Sequence, residues 1–487
     1  MLRTSLAFSL GLILFLAACG GGGGSTPPPP AVSVALTPST AQTINAGLIL
    51  PIGAAVSNDS ANQGVTWSLT GVGSLAASSI TSVTYQAPGT VSSDQTATVT
   101  ATSIANPAVS ASLQITVTNT TASGNVVPLI VDGGPAPLHN YANGVFTTVT
   151  ICLTGTPTCQ AIGGILVDTG SFGLRVLKSA LAVPPSPLPI SGKTLNNCAK
   201  FVDGSFLWGE VAAADIQLGG EKAANTSFQI IADPTTFTIP TACSSGGSNI
   251  DNLGSLGANG ILGVGPEAQD CGPACASGTP PPVYFACSSG TTCTATLVPL
   301  AQQITNPVVK FPTDNNGVIM EIQSLTSAAT TATGSLIFGI GTQTNNGLAG
   351  AKIQTMDNFD NFTTLFNGQT MTESFIDSGS NGLFFPDSGI PNCPDAAFFF
   401  CPSSLLSLSA INQGQNSAVN TVSFGIDNAD NLFNNNPTAD AFSTLGGTND
   451  SGSFDWGLPF FYGRSVFTSI RGQTTPSGTP PAPWWAY

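Results

Sequence analysis

Charge is scarce in this chain of 487 residues. Charged residues make up 7% of the sequence, with 10 Lys and Arg against 25 Asp and Glu, and the net charge is -15. Because about a quarter of the residues in a soluble protein are usually charged, the surface here must be covered mainly by Ser, Thr, Asn and Gln. A strongly negative chain repels nucleic acid and anionic lipid headgroups, so the composition argues against a nucleic-acid-binding function.

Histidine is almost absent. His139 is the only one, and it lies in a segment containing Pro, Asn and Gly, from Pro135 to Asn140, where we expect a surface loop. A Ser or Cys catalytic triad needs an imidazole, so triad chemistry is disfavoured. Zinc sites use closely spaced Cys and His ligands, and the chain contains no Cys-x-x-Cys. The sequence therefore predicts no metal site and no cofactor.

The N-terminal segment has the features of an export signal. Arg3 precedes an apolar run from Leu6 to Leu16, which is too short for an anchored spanning helix and is typical of a signal peptide. The sequence Leu16-Ala17-Ala18-Cys19 resembles a bacterial lipobox, which implies cleavage before Cys19 and acylation of that cysteine. A plain secretory signal is the alternative. We therefore predict a signal peptide over residues 1–18 and lipidation at Cys19.

A tether follows the predicted lipidation site. Residues 19–31 contain a glycine run, Gly20 to Gly24, and then a proline run, Pro27 to Pro30, so the tether is flexible first and stiff second. Gly20 stands where an Asp would favour retention in the inner membrane. We therefore expect a lipid-anchored protein of the bacterial cell envelope, held at the outer membrane.

Ten cysteines remain when Cys19 is set aside. In an exported protein they favour disulfides, although spacing alone does not fix the connectivity. Close neighbours suggest four local bridges and leave two cysteines for each other. The candidate pairs are Cys152-Cys159, Cys271-Cys275, Cys287-Cys293, Cys393-Cys401 and Cys198-Cys243.

Residues 32–118 read as short strands with alternating apolar residues, separated by Pro, Gly, Asn and Ser. The pattern resembles a bacterial immunoglobulin-like β-sandwich, with Trp67 and Tyr85 as expected core aromatics. The segment contains no cluster of reactive groups, so we interpret it as a spacer or a binding module. The Thr- and Ser-rich stretch from Asn119 to Asn125 is the expected boundary.

A short motif occurs twice and is the most informative feature of the chain. Residues 166–171, Leu-Val-Asp-Thr-Gly-Ser, are echoed by residues 375–380, Phe-Ile-Asp-Ser-Gly-Ser, and each copy runs through one variable residue into Gly-Leu. The four letters alone are a weak signal. Asp450 begins the same four letters but follows polar Thr448-Asn449 and lacks the downstream Gly-Leu, whereas Asp387-Ser388-Gly389 follows a proline. We interpret both as ordinary turns. The shared flanks single out Asp168 and Asp377.

The two copies lie 209 residues apart (377 minus 168), far enough for each to occupy its own lobe. The chain from Val126 onward is strand-rich, and Leu297 to Ile304 is the best short helix candidate. We infer an all-β bilobal body over residues 125–487, with the lobe boundary near 310–345.

Two facing carboxylates would share one proton and titrate as a pair. The ionised member takes a proton from a trapped water while the protonated member polarises a carbonyl, so the predicted catalytic residues are Asp168 and Asp377. Gly170 and Gly379 allow the sharp turn that brings backbone N-H groups toward each carboxylate. The supporting hydroxyls are those of Thr169 and Ser378, which can bond across the loops, and Ser171 and Ser380, which can bond an outer carboxylate oxygen.

The body resembles a pepsin-type aspartic peptidase, which implies a double β-barrel and hydrolysis of polypeptides. Residues 141–157 are similar to the family's first strand pair and Gly-Thr-Pro turn. Residues 260–265 resemble its Gly-Ile-Leu-Gly element, and residues 456–464 resemble its late element. The chain as a whole also resembles a group of bacterial lipoproteins without an assigned function.

The sequence departs from the family pattern around the cleft. The flap candidate, Phe201-Val202-Asp203-Gly204-Ser205, lacks the usual Tyr, and Arg175 stands where that Tyr's Trp partner would fall. In the late element Pro459 stands at an expected Gly. Two hypotheses follow. The chain is a membrane-tethered aspartic endopeptidase, or it is a non-catalytic surface protein that uses the same scaffold to bind a protein partner.

Overall fold

The computed structural model describes residues 31–46, 49–76, 78–88, 91–121, 124–138, 141–182, 184–231, 237–288, 293–394, 396–449 and 452–487. The predicted signal peptide, Cys19, nearly all of the tether, His139 and Asp450 lie outside these residues. Within the described ranges, no helix is both long enough and apolar enough to cross a membrane.

The protein is all-β, as predicted. The N-terminal part forms two four-stranded sheets, with strand orders β1-β3-β6-β5 and β2-β8-β7-β4. Pairing is antiparallel except between β2 and β8. The strands are β1 Ser33–Thr37, β2 Gln42–Ala46, β3 Ile49–Ser57, β4 Val65–Gly71, β5 Ser74–Ala76, β6 Ser82–Gln86, β7 Gln95–Ser103 and β8 Ser110–Thr121.

Alternation of small apolar and polar residues builds the core between these two sheets. In β7 the buried apolar residues are Ala97, Val99 and Ala101, with Thr side chains between them on the other face. Tyr85 is fully buried, and its hydroxyl donates to the Val72 carbonyl at 2.8 Å. Trp67 is only partly buried at the edge of this core, where its indole N-H donates to Ser79 at 2.8 Å. The expectation of two core aromatics holds fully for Tyr85 alone.

The rest of the chain, residues 124–487, is called the body. Its strands are β9 Val126–Asp132, β10 Gly144–Cys152, β11 Cys159–Asp168, β12 Phe172–Leu177, β13 Pro189–Ile190, β14 Lys193–Lys200, β15 Phe206–Leu218, β16 Glu221–Ile231, β17 Gly260–Val264, β18 Tyr284–Cys287, β19 Cys293–Ala295, β20 Gly317–Ile322, β21 Ala332–Phe338, β22 Ile353–Thr355, β23 Phe362–Phe366, β24 Gln369–Ile376, β25 Leu383–Phe384, β26 Leu406–Gln413, β27 Val419–Ile426, β28 Gly446–Gly447, β29 Asp455–Trp456, β30 Ser465–Ser469 and β31 Trp484–Ala486.

Helices in the body are short. The α-helices are α1 Thr241–Ser244, α2 Leu253–Leu256, α3 Pro273–Ala276 and α4 Ala429–Asn435, and 3-10 turns span Lys178–Ala180, Leu300–Gln302, Pro307–Lys310 and Leu458–Phe460. The prediction of a helix over residues 297–304 is therefore wrong, apart from the 3-10 turn at Leu300–Gln302. Backbone N-H groups just before that turn bond to neighbouring segments, Thr296 to Tyr284 and Val298 to Cys275. So short a segment cannot offset the cost of helix nucleation by itself.

One strand arrangement occurs in both halves of the body. In the first half, β11 pairs parallel with β17, which pairs antiparallel with β12. In the second half, β24 pairs parallel with β29, which pairs antiparallel with β25. The turn between β11 and β12 carries Asp168, and the turn between β24 and β25 carries Asp377. The repeated motif therefore occupies equivalent places in a repeated fold.

A continuous sheet joins the halves, because β9 of the first half pairs with β21 of the second. Five disulfides fasten the body, four of them across loops of eight residues or fewer in sequence separation. The bonded pairs are Cys152-Cys159, Cys198-Cys243, Cys271-Cys275, Cys287-Cys293 and Cys393-Cys401. These are the pairs that spacing in the sequence made most plausible.

Asn143 connects the halves at their seam. It is fully buried and has a φ of 57°, a conformation that Asn tolerates better than most residues. Its amide donates to Asn381 and Phe442 carbonyls at 2.8 Å each. Its oxygen accepts from the Phe442 N-H at 2.7 Å and from the Tyr462 hydroxyl at 2.8 Å. One side chain of the first half therefore satisfies several buried polar groups of the second.

We predict that Asn143→Gly, which keeps the backbone conformation without strain, destabilises the body by at least about 3 kcal/mol because it leaves several buried groups unpaired. The matched control is Asn367→Gly, at an exposed turn residue with a φ of 48°. Melting temperatures of the full chain should fall by several degrees for Asn143→Gly and little for the control. Equal shifts in both variants would show that the seam does not depend on this side chain.

Candidate functional site

The two Asp turns meet at the centre of the body. A Cβ atom added to Gly170 would lie 2.7 Å from the Asp377 Cγ, and one added to Gly379 would lie 2.9 Å from the Asp168 Cγ. Real Cβ contacts are essentially never that short, so each carboxylate lies against the glycine of the opposite turn. The Asp168 and Asp377 side chains are also within hydrogen-bonding distance of each other. The structure thus brings together the two residues that the duplicated motif singled out.

Four hydrogen bonds cross between the turns. The Thr169 hydroxyl donates to the Ile376 carbonyl at 3.1 Å, and the Ser378 hydroxyl donates to the Val167 carbonyl at 2.8 Å. Each oxygen also accepts the backbone N-H of the other residue, at 2.9 Å from Ser378 and 3.1 Å from Thr169. Both side chains are buried. The reciprocal pattern fixes the relative position of the two turns.

Each carboxylate is also held within its own turn. The Gly170 N-H donates to Asp168 at 2.8 Å, and the Gly379 N-H donates to Asp377 at 2.8 Å. The Ser171 hydroxyl donates to the second oxygen of Asp168. The Ser380 hydroxyl lies 2.9 Å from the second oxygen of Asp377. All six residues predicted to support the carboxylates therefore contact them or cross-link their turns.

Burial and proximity make one of the two carboxylates hard to ionise. Burial raises the pKa of Asp168 well above its ordinary value, and the charge and hydrogen bond of Asp377 raise it further. The donors Ser171 and Gly170 oppose this rise only in part. Asp168 therefore favours its protonated form while it lies against the side chain of Asp377.

The flap candidate, residues 201–205, forms the tip of the hairpin between β14 and β15. The Gly204 N-H bonds to the Phe201 carbonyl at 3.0 Å, and Gly204 has a φ of 84°. Asp203 accepts from the N-H and hydroxyl of Ser205 at 2.8 and 2.6 Å. Phe201 packs on the apolar cluster beneath the tip, whereas Val202 is 85% exposed. The tip is a well-defined tight turn without an aromatic hydroxyl.

Tyr141 was not predicted as a site residue, yet it is near both carboxylates. Burial raises the pKa of Tyr141, and the charges of Asp168, Asp377 and Asp203 raise it further. Its ring packs edge-on against Phe146, with 5.7 Å between centroids. The residue precedes β10, 27 positions before Asp168 (168 minus 141), so spacing gave no signal that it would reach the cleft.

Arg175 is buried within a polar network that joins four strands of the first half. Its guanidinium donates to Asn197 at 2.9 Å and to Gln229 at 2.8 Å, and forms an ion pair with Asp270 at 3.2 Å. Asp270 also accepts from Tyr284 and, at 3.0 Å, from Asn197. Asn197 belongs to β14, so the network ties the base of the flap hairpin to the strand that follows Asp168.

The strand register corrects one detail of the sequence alignment, which placed Pro459 at a glycine position. Ile376 pairs with Trp456, and a Cβ on Gly457 would lie 2.1 Å from the Gly382 carbonyl oxygen. In the first half, a Cβ added to Gly263 would likewise clash with backbone atoms of residues 171 and 172. Gly457 is therefore the glycine that passes under the second Asp turn. The same register places Asp455, a residue the sequence analysis did not single out, behind Asp377.

In the described part of the chain, one group of side chains has the spacing of metal ligands: Cys393, Cys401 and Asp430. The two cysteines are joined in a disulfide, so they offer no thiolate, the form in which Cys binds metals. The residues present do not fit a metal site.

A family model described as a protein of unknown function (DUF3443) matches residues 121–487. The matched range contains both Asp turns and all five disulfides and leaves out almost all of the N-terminal sandwich. No curated protein matches the chain at a significant level.

Two further carboxylates lie at the seam near Asn143. Burial raises the pKa of Asp132 to about 6, and the charge of Asp440 adds to the rise. Burial raises the pKa of Asp440 to about 6 as well. Backbone N-H groups of Gly134 and Gly133 oppose these shifts without cancelling them. In the folded state both groups therefore keep their protons to a higher pH than in the unfolded chain.

Because the pKa values of Asp132 and Asp440 are higher in the folded than in the unfolded state, protonation of these groups favours folding. This stabilisation is fully present below the unfolded-state pKa, near 4, and is lost as the pH rises to about 6. We predict that Asp132→Asn and Asp440→Asn each raise the melting temperature at pH 7 relative to wild type. At pH 4 the same variants should melt close to wild type. A gain of equal size at both values would show that ionisation at the seam has no part in the effect.

Proposed function

We propose that this chain, which belongs to the DUF3443 family, is an aspartic endopeptidase of the pepsin-like kind that acts outside the cytoplasm. The observation that carries the proposal is the reciprocal hydrogen bonding of Thr169 and Ser378 beneath two carboxylates in contact. Buried bonds of this kind fix two turns to each other, as a catalytic pair requires. The duplicated strand arrangement around the turns supports the same function.

The proposed reaction uses a water held between the carboxylates. The ionised carboxylate removes a proton from that water, and the oxygen attacks the carbonyl carbon of a peptide bond. The protonated carboxylate donates its proton toward the carbonyl oxygen, so a neutral tetrahedral intermediate forms without a covalent bond to the enzyme. The proton held by the base then moves to the amide nitrogen. As the C-N bond breaks, one hydroxyl of the tetrahedral intermediate gives its proton to the other carboxylate. The pair returns to one proton in total.

The groups around the two carboxylates differ from those of the resembling family. The hairpin tip carries Phe201 rather than Tyr, and Tyr141, which packs against the same apolar cluster as Phe201, supplies a phenol near both carboxylates. Arg175, with its network to Asp270, holds the hairpin base where an aromatic pair would stand in the resembling family. These differences favour a specificity of its own rather than a loss of the catalytic pair.

The N-terminal part completes the proposal. The two facing four-stranded sheets resemble an immunoglobulin-like sandwich, which we propose acts as a spacer between the body and a lipid anchor at Cys19. The substrate would then be a polypeptide in the cell envelope or at the cell surface. The net charge of -15 favours substrates that are not themselves strongly acidic.

The purified full chain should cleave a reduced, unfolded protein at acidic pH. Asp168→Asn and Asp377→Asn should each lower the rate by about a thousandfold or more, because each removes one half of the acid-base pair. The matched control is Asp387→Asn. Asp387 begins the same Asp-Ser-Gly sequence and accepts the Gly389 N-H at 2.8 Å, but it lies in a surface turn. Cleavage products are followed by mass spectrometry, and the control should match wild type.

A wild type as inert as the two Asn variants on varied unfolded proteins, from roughly pH 3 to 7 where such pairs titrate, would contradict the proposal. The alternative is a non-catalytic binding protein on the same scaffold, suggested by the absence of a flap tyrosine. The binding function is favoured if the wild type is inert as a peptidase and the variant carrying both Asp168→Asn and Asp377→Asn still captures the partners that the wild type captures.

A further inference from the structure

A third carboxylate lies directly behind the catalytic pair. Asp455 belongs to β29 and is 7% exposed. Its neighbours Phe454 and Trp456 stack on each other at 4.0 Å in the aromatic core. Because strand residues alternate in direction, Asp455 faces the other way, where the Ser380 hydroxyl lies 2.6 Å from its Oδ2. The same hydroxyl lies 2.9 Å from Asp377 Oδ2.

This geometry requires an additional proton. A serine hydroxyl has one hydrogen, so Ser380 can donate to Asp455 or to Asp377 but not to both. The second carboxylate oxygen can approach the Ser380 oxygen favourably only if that carboxyl is itself protonated and donates. The chain Asp377-Ser380-Asp455 therefore holds one carboxyl and one carboxylate when it is fully hydrogen-bonded.

The environment decides which end carries the proton. Among the described residues, no group donates a hydrogen bond to the buried Oδ1 of Asp455, whereas Asp377 Oδ1 accepts the Gly379 N-H at 2.8 Å. A charge on Asp455 would be buried without compensation. The proton therefore belongs on Asp455, which donates to Ser380, and Ser380 donates to Asp377.

We propose that Asp455 is a positioning residue that, through Ser380, places the negative charge of the catalytic pair on Asp377 and leaves the shared proton on Asp168. Asp377 is then the base that activates water, and Asp168 is the acid. This assignment deepens the proposed peptidase function and rests on it.

The first half of the body provides an internal comparison. There the residue paired at the equivalent register is Ile261, opposite Leu166, just as Asp455 is opposite Phe375. Ser171 accordingly donates to Asp168 with no second carboxylate beside it. The two turns are alike in every other hydrogen bond described above, so Asp455 is the feature that makes the pair unequal.

The charged groups near Asp455 all disfavour its ionisation. The charged groups that interact with it are Asp377 and Asp168, both acidic. Burial and these charges raise the pKa of Asp455 well above its ordinary value, and the hydrogen bond with Ser380 opposes the rise only in part. Glu373, the carboxylate on β24, is exposed to solvent. Asp455 is therefore neutral under acidic conditions, and ionisation at higher pH would place a second charge beside Asp377 and break the relay.

The first test is the pH dependence of kcat/KM for peptide hydrolysis by the full chain. Asp455→Asn keeps a neutral donor to Ser380, so activity should extend to higher pH with the acid limb unchanged. Asp455→Ile copies the first half and removes the donor, so both limbs should move toward neutral pH, by roughly one unit as expected for loss of one charged or hydrogen-bonding neighbour. Profiles that coincide with wild type in both variants would overturn the proposal.

The second test needs no activity and remains valid if the proposed function fails. A carboxyl whose folded pKa is raised destabilises the fold progressively above the unfolded pKa, so the melting temperature of Asp455→Asn relative to wild type should rise with pH above about 4. If the charge lies on Asp377, this pH-dependent gain should shrink in an Asp377→Asn background and persist in an Asp168→Asn background. A gain that is independent of pH, or the reverse dependence on the two backgrounds, would overturn the proposal.

Discussion

Contact between the buried carboxyl group of Asp168 and the partly buried one of Asp377 is the constraint on which the rest of the body depends. The two residues come from turns 209 residues apart, and whenever both are ionised their repulsion would separate them if the turns were free. Thr169 and Ser378 prevent this with four crossing hydrogen bonds, and Gly170 and Gly379 leave the space that the opposite carboxylate fills. The seam at Asn143 and the pairing of β9 with β21 hold the halves in that register.

In the proposed mechanism, unequal surroundings convert a symmetric pair into an acid and a base. The two turns repeat the same backbone and hydroxyl contacts, yet only the second has a carboxyl behind its serine, at Asp455. The aromatic stack of Phe454 and Trp456 excludes water on the other side of that strand. Fixed donors near a developing charge act more strongly where water is excluded, so in the proposed mechanism the core of the second half contributes to the chemistry of the site.

Residues close in sequence to the motif could be predicted, and residues placed by strand pairing could not. The apolar flanks and the Gly-Leu identified Asp168 and Asp377, and the alternation in β7 and β10 identified strands. Asp455 reaches the site only because β29 pairs with β24 and β25, which lie far away in sequence. Tyr141 lies in the segment before β10, where no repeated motif marks it. Matching letters placed Pro459 at an expected glycine, whereas the strand register places Gly457, a residue small enough to pass beneath the second turn, at that position.

The central claim is that Asp168 and Asp377 share one proton. It is tested most directly by following the carboxyl carbons of the aspartates by NMR across a pH titration of the full chain. The account predicts that the pair loses its protons in two titration steps separated by more than about one pH unit. In the Asp377→Asn variant a single titration step should remain. Titration of both groups together in a single step near pH 4, as for isolated aspartates, would contradict it.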